Sequence, residues 1–242
     1  MWIFWPEARP VTIDEAADLL DSPTEVVSDQ TRPTPGVYEN EGSGTESLSV
    51  PPLSQEQGPL IPATVELNGE DCWRYRVDYS TNHWQEWDYC RTELGLEETG
   101  GRSWARWSIG AIDFTNLSDF ECDAGTPLMP NDREIGQEWP ARCVGSGDAV
   151  DGESVSEGPY RFLGDEDLLI GGTETRVAHF LRERTMSGSQ VGTEEAEVWI
   201  DIETGLPVKN ERTIEVESDT PLGTSTYRDE GSYQLADLKP VS

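Results

Sequence analysis

Cys72-Trp-Arg-Tyr-Arg-Val-Asp-Tyr-Ser-Thr-Asn-His-Trp-Gln-Glu-Trp-Asp-Tyr-Cys90 is the stretch whose reading decides the fold. With Ser80-Thr81-Asn82 as a loop, it closes on itself as a β-hairpin. Tyr79 then faces His83, Val77 faces Gln85, Tyr75 faces Trp87 and Trp73 faces Tyr89, which makes one aromatic face. The other face sets Arg76 against Glu86, Arg74 against Asp88 and Cys72 against Cys90. Directly opposed residues lie about 4.5–5.5 Å apart at Cβ, within reach of a disulfide. A one-residue slip would lose both charge pairs and the cysteine match together. The stretch therefore predicts a fold element and an oxidising compartment, and says nothing of a reaction.

The rest of the composition agrees with that compartment. The chain has 242 residues, enough for one large β domain or two small ones. Hydrophobic content is only 35%, but nine Trp and seven Tyr supply bulky core material. A net charge of −31 repels nucleic acid and anionic membrane surfaces. Without a dense carboxylate motif, it reads as a solvated acidic surface suited to salty surroundings. Four cysteines without a C-x-x-C motif, and two histidines far apart, argue against a zinc site. Cys122 pairs with Cys143 by elimination. Two disulfides place the protein outside the cytosol.

Met1-Trp-Ile-Phe-Trp-Pro6 reads as the outer end of a membrane helix, with Trp2 and Trp5 at headgroup level and Pro6 as its stop. On that reading the protein is tethered to the cell membrane by an upstream anchor and touches the membrane only there. The alternative is a secreted chain with an apolar N-terminus. Thr12-Ile-Asp-Glu15 is a capping box opening a short helix whose apolar stripe is Ile13, Ala16, Ala17 and Leu20. Residues 1–34 form a membrane-proximal segment, helix and proline-rich linker. Residues 35–242 form a single antiparallel β domain.

Within that domain, Gly36 to Gly42 and Thr45 to Val50 read as partner strands, Pro51 to Pro62 as a loop, and Ala63 to Leu67 as a strand leading into the hairpin. Alternation in 103–114 places Trp107 and Ile109 opposite Trp104 and Arg106. The Gly-, Pro- and Asp-rich stretch 122–158 reads as a surface excursion stapled by Cys122–Cys143. Further strands follow, with Val177, His179 and Leu181 sharing one face and Val208, Asn210, Arg212, Ile214 and Val216 another. Gly205 suits a positive-φ turn between the Trp199 and Val208 strands.

Two resemblances attach to these residues. The order Trp199-Ile-Asp201, Glu203-Thr-Gly-Leu-Pro-Val208, a long strand and a closing Thr/Tyr strand resembles the C-terminal half of LolA-like lipoprotein carriers and RseB-like envelope sensors. That resemblance implies an open antiparallel half-barrel around an apolar groove. Pro35-Gly-Val-Tyr38, the Gly44-Thr-Glu46 region and the two cysteine pairs look like a family of uncharacterised exported actinobacterial proteins. It implies an exported location and supplies no catalytic residues.

No Gly-x-Ser-x-Gly elbow, P-loop or His-Glu-x-x-His motif is present, so no catalytic residue, metal ligand or cofactor is assigned. Asp165-Glu-Asp167 and Asn131-Asp132 lack EF-hand spacing and read as solvated loops. The candidate ligand-binding residues are Trp73, Tyr75, Trp87, Val177, His179 and Trp199. The expected function is binding of a hydrophobic, lipid-like ligand without catalysis. The alternative is an envelope-protein interaction or signal-sensing domain, and a weaker one is a hydrolase. If the aromatic residues are simply core, the ligand reading loses its site.

Overall fold

The computed structural model describes residues 8–20, 31–110, 112–220 and 223–241. The apolar start at Trp2 and Trp5 lies outside them. The helix α1 (Ile13–Ala17) carries the expected capping box: Thr12 Oγ1 accepts from the Glu15 amide, and Glu15 accepts from the Thr12 amide at 3.0 Å. The strands are β1 (Gly36–Leu48), β2 (Leu53–Gln57), β3 (Leu60–Leu67), β4 (Cys72–Ser80), β5 (His83–Arg91), β6 (Gly95–Ile109) and β7 (Ile112–Cys122). They continue with β8 (Pro127–Pro130), β9 (Glu138–Gly147), β10 (Glu153–Ile170), β11 (Thr173–Gly188), β12 (Gln190–Asp201), β13 (Pro207–Thr220) and β14 (Gly223–Leu235).

Twelve strands form a closed antiparallel barrel, in chain order and without crossovers. The short β2 pairs with β1 beyond the point where β3 has left it, and β8 does the same along β6 beyond β7. The open half-barrel implied by the carrier resemblance is therefore corrected. Closure comes from β1 and β14, which pair from Asn40↔Leu235 to Leu48↔Tyr227. The residues read as two partner strands are one strand of 13 residues, long enough to bond β3 at its start and β14 at its end. Glycine makes that seam close enough. A Cβ on Gly42 would stand 2.3 Å from the Ser232 carbonyl oxygen, and one on Gly44 2.8 Å from that of Glu230. Closure removes the two long edges an open sheet would have, leaving only those of the short β2 and β8.

The stretch 122–158 is mostly strand, supplying β8, β9 and the start of β10. Its prolines and glycines read as loop signals, yet Pro140 and Pro159 oppose each other across β9 and β10. Gly158 sits where a Cβ would overlap the Glu183 carbonyl. The disulfides are Cys72–Cys90 and Cys122–Cys143, joining paired residues of β4–β5 and β7–β9. Their presence fits an oxidising compartment.

Side chains alternate between lumen and outside along each strand. On β13 the outward residues Glu211, Glu215 and Glu217 are exposed, while Val208 and Arg212 are buried inside. Such an acid-rich exterior is the reverse of a lipid-facing band. The helix packs outside the barrel, where Ala16 and Val11 cover Val37. One end of the lumen is filled by Trp73, Tyr89, Leu96, Phe162, Phe180 and Leu235. The β12–β13 turn closes that end: Gly205, at φ +79°, holds its Cα against the Trp73 indole, where an added Cβ would be 3.1 Å away.

Candidate functional site

The other half of the lumen is a cavity of about 830 Å³. That lies within the 300–1,000 Å³ typical of small-molecule sites. It reaches the barrel end that carries the β1–β2, β6–β7, β9–β10 and β13–β14 turns, since Val50, Ile112, Val150 and Thr220 line it. The wall follows from period-two alternation. β5 contributes Trp87, β6 Ala105 and Trp107, β7 Phe114 and Phe120, and β13 Ile214 and Val216. Serines at 103, 118, 154 and 156 keep the space open where larger residues would fill it.

Between the cavity and the aromatic plug lies a layer of buried charge. Arg182, Arg184, Glu194, His83 and Asp229 line the cavity floor. In one cluster Glu98 accepts from the Tyr160 hydroxyl at 2.6 Å and from Arg184 Nη2 at 3.3 Å. Arg182 bridges Glu98, at 3.7 Å, and Glu194. In the other, Asp229 accepts from Arg212 Nε at 2.8 Å and Gln57 Nε2 at 3.1 Å. His83 Nδ1 lies 3.0 Å from Glu46 Oε2, which also accepts from the Tyr227 hydroxyl at 2.9 Å.

Burial opposes charge on Glu46, Glu98, His83, Arg182, Arg184 and Arg212, and for these six the partners outweigh it. Burial lifts the Glu98 carboxyl, but the Arg184 and Arg182 charges bring it below its ordinary value. Burial lifts Glu46 too, and the His83 charge and the hydrogen bonds from His83, Tyr227 and Gln55 pull it lower. For His83 burial disfavours the proton, while Glu46 and then Asp229 favour it more, so its pKa is raised. Chemically the layer is a network of buried ion pairs. The hydroxyls it holds, those of Tyr160 and Tyr227, are spent on Glu98 and Glu46.

The six candidate residues do not converge. Trp73, Tyr75 and Trp87 do share the lumen face of the hairpin, in the predicted register from Cys72↔Cys90 to Val77↔Gln85. Trp73 and Tyr75 are fully buried in the plug, and Trp87 reaches the cavity. Val177, His179 and Trp199 face the opposite way from Arg182 and Glu194 on the same strands, so they lie outside the lumen. There His179 stacks on Trp199 with centroids 4.1 Å apart and bonds Glu197 at 2.7 Å, and Val177 is fully buried. At the hairpin tip Ser80 pairs with His83 and Tyr79 is bulged, so the turn is two residues, Thr81-Asn82.

What the candidate list omits is the charged floor. Arg212 stood in the alternating set Val208 to Val216, so a charge on a buried face was visible there. On β11 the apolar look of Val177 and Leu181 hid the true lumen face, Ala178, Phe180, Arg182 and Arg184. Asn131, Asp132 and Asp165 line an outer pocket together with Arg133, which lies 3.0 Å from Asp165. Among the described residues, Glu98 groups at metal-ligand distance only with Cys122 and Cys143, whose sulfurs bond each other.

No protein-family model and no curated protein matches the chain. Among solved structures, the crystal structure of the hypothetical lipoprotein YmcC from Escherichia coli (K12) is similar at 14% identity. The match covers 91% of this chain and 96% of that one, with a TM-score of 0.39.

Proposed function

We propose that this protein is an extracytoplasmic, non-enzymatic module that binds a hydrophobic, lipid-like ligand in the barrel lumen. One observation carries the reading: the apolar-walled cavity of about 830 Å³, closed at one end by the plug and open at the other. Such a space removes most of a ligand's apolar surface from water, at roughly 25 cal/mol per Å². The two disulfides support the location. An envelope-protein interaction or sensing role is supported by the rim, where Val50, Ile112, Phe114 and Val191 stay exposed.

Trp87 and Trp107 face the cavity, so intrinsic fluorescence reports on occupancy. Titration with a long-chain alcohol should shift the emission and raise the melting temperature. A ligand at a hundred times its Kd stabilises by about 2.7 kcal/mol. Ala105→Leu with Ser103→Leu, which fills the lumen from β6, should abolish both responses and leave the fold intact. Unchanged emission and melting temperature across alkyl ligands of differing head would sink the proposal.

A further inference from the structure

The width and depth of the cavity restrict what fits it, and this inference rests on the lumen-binding reading above. Strand number sets the width. About eight strands enclose a space that side chains or one small ligand fill, and about sixteen leave an aqueous channel, so this barrel of twelve falls between them. Large side chains fill that width in the plug, and small ones leave it empty above. Along the lumen face of β10, Phe162 and Tyr160 give way to Ser156 and Ser154; along β14, Tyr233 gives way to Ser225. Register sets the depth. Asp229 at the floor pairs with Ile214, and β13 then climbs six residues to Thr220 at the mouth. β11 climbs six from Arg182 at the floor to its end at Gly188. Six residues make about 20 Å of strand and, at the usual barrel tilt, about 15 Å of depth. One leaflet of a bilayer's hydrocarbon core is also about 15 Å deep.

Volume then decides how many chains that depth holds. A carbon chain advances about 1.3 Å per carbon, from bonds of about 1.5 Å at a tetrahedral angle, so one extended chain brings about twelve carbons into it. The space takes more. An apolar cavity of about 150 Å³ holds one benzene, so about 830 Å³ holds roughly thirty carbons. A single chain would leave more than half of the space to water, against a wall that includes Trp107, Phe120, Ile214 and Val216. A flat fused-ring ligand would leave both its sides wet in a round lumen. Two chains fill it, and chains of leaflet length use the whole depth, which leaves the head at the mouth. We propose that the lumen takes a two-chain lipid, its tails reaching down to the charged floor and its head in water at the mouth.

The test uses didodecanoylphosphatidylcholine and its single-chain lysolipid, equimolar in the same vesicles. Protein re-isolated from them is weighed by native mass spectrometry. It should carry one two-chain lipid, enriched at least about tenfold over the lysolipid, a ratio that needs only about 60 Å² more of apolar wall kept dry. With lysolipid alone it should carry two molecules. One lysolipid per protein at saturation overturns the proposal, and so does displacement of the two-chain lipid by a sterol. Trp87 pairs with Gly101 and so lies six residues deeper than Trp107 in the β5–β6 register. A two-chain lipid brominated at the methyl ends of its tails should therefore quench emission that Trp87→Phe removes. Quenching that Trp107→Phe removes instead overturns the tails-inward orientation. Absence of binding by both lipids, and by the matching mono- and diacylglycerols, overturns the lumen reading itself.

Discussion

His83 stands where burial and a neighbouring acid act in opposite directions. Its ring lies against Tyr79, with centroids 4.9 Å apart, and its Nδ1 meets the buried Glu46 carboxylate. The raised pKa of His83 contributes stability that is complete below its ordinary value of about 6.5 and is lost as pH rises through the raised folded value. The lowered pKa of Glu46 contributes stability that is present above about 4.5 and is lost as pH falls through the lowered value. Both contributions coexist at about pH 5–6. The melting-temperature gap between the wild type and His83→Gln should therefore be widest there and narrow toward alkaline pH. A gap that keeps widening above neutrality would contradict the assignment. From the sequence, His83 reads as an exposed residue beside the hairpin loop; the structure buries it, because its partner Glu46 comes from a distant strand with no local signal.

At the scale of elements, what was legible depended on whether constraints lie close together in the chain. The β4–β5 register was read from two charge pairs and a cysteine pair within 19 residues, and Arg74–Asp88 is bonded at 2.9 Å. The β12–β13 turn was read from Glu203-Thr-Gly-Leu-Pro207; Gly205 has φ +79° and Pro207 opens β13, as expected. The seam between β1 and β14 was invisible, since its partners are separated by most of the chain. Gly42, Gly44 and Gly231 are its only trace in sequence, and isolated glycines in strands read as breaks. Gly44→Val should accordingly destabilise the barrel by about 2 kcal/mol or more, because the Glu230–Gly231 backbone and the buried Gln57 side chain leave the new side chain no room. Hydrogen exchange should show β1 and β14 losing protection before β4 and β5. Uniform protection with an unchanged melting temperature would mean that the seam tolerates a side chain.

The whole molecule separates its charge by depth. Acids crowd the outer face, where water and counterions solvate them, while the interior layer is balanced pair by pair. The fold class was legible as mainly antiparallel β because alternation and aromatic strands are local properties. Closure and the position of the cavity were not, because they depend on which face each strand turns inward, and a one-residue choice of face on β11 reversed Val177 and His179. The two charge populations should respond differently to salt. Screening falls from a reach of about 10 Å at 0.1 M to about 3 Å at 1 M, which relieves repulsion across the acidic exterior and leaves buried pairs nearly untouched. The melting temperature should rise by several degrees between dilute buffer and about 1 M sodium chloride. A melting temperature that falls with salt would show instead that exposed ion pairs such as Arg161–Glu138 and Arg228–Glu215 contribute more than the net charge costs.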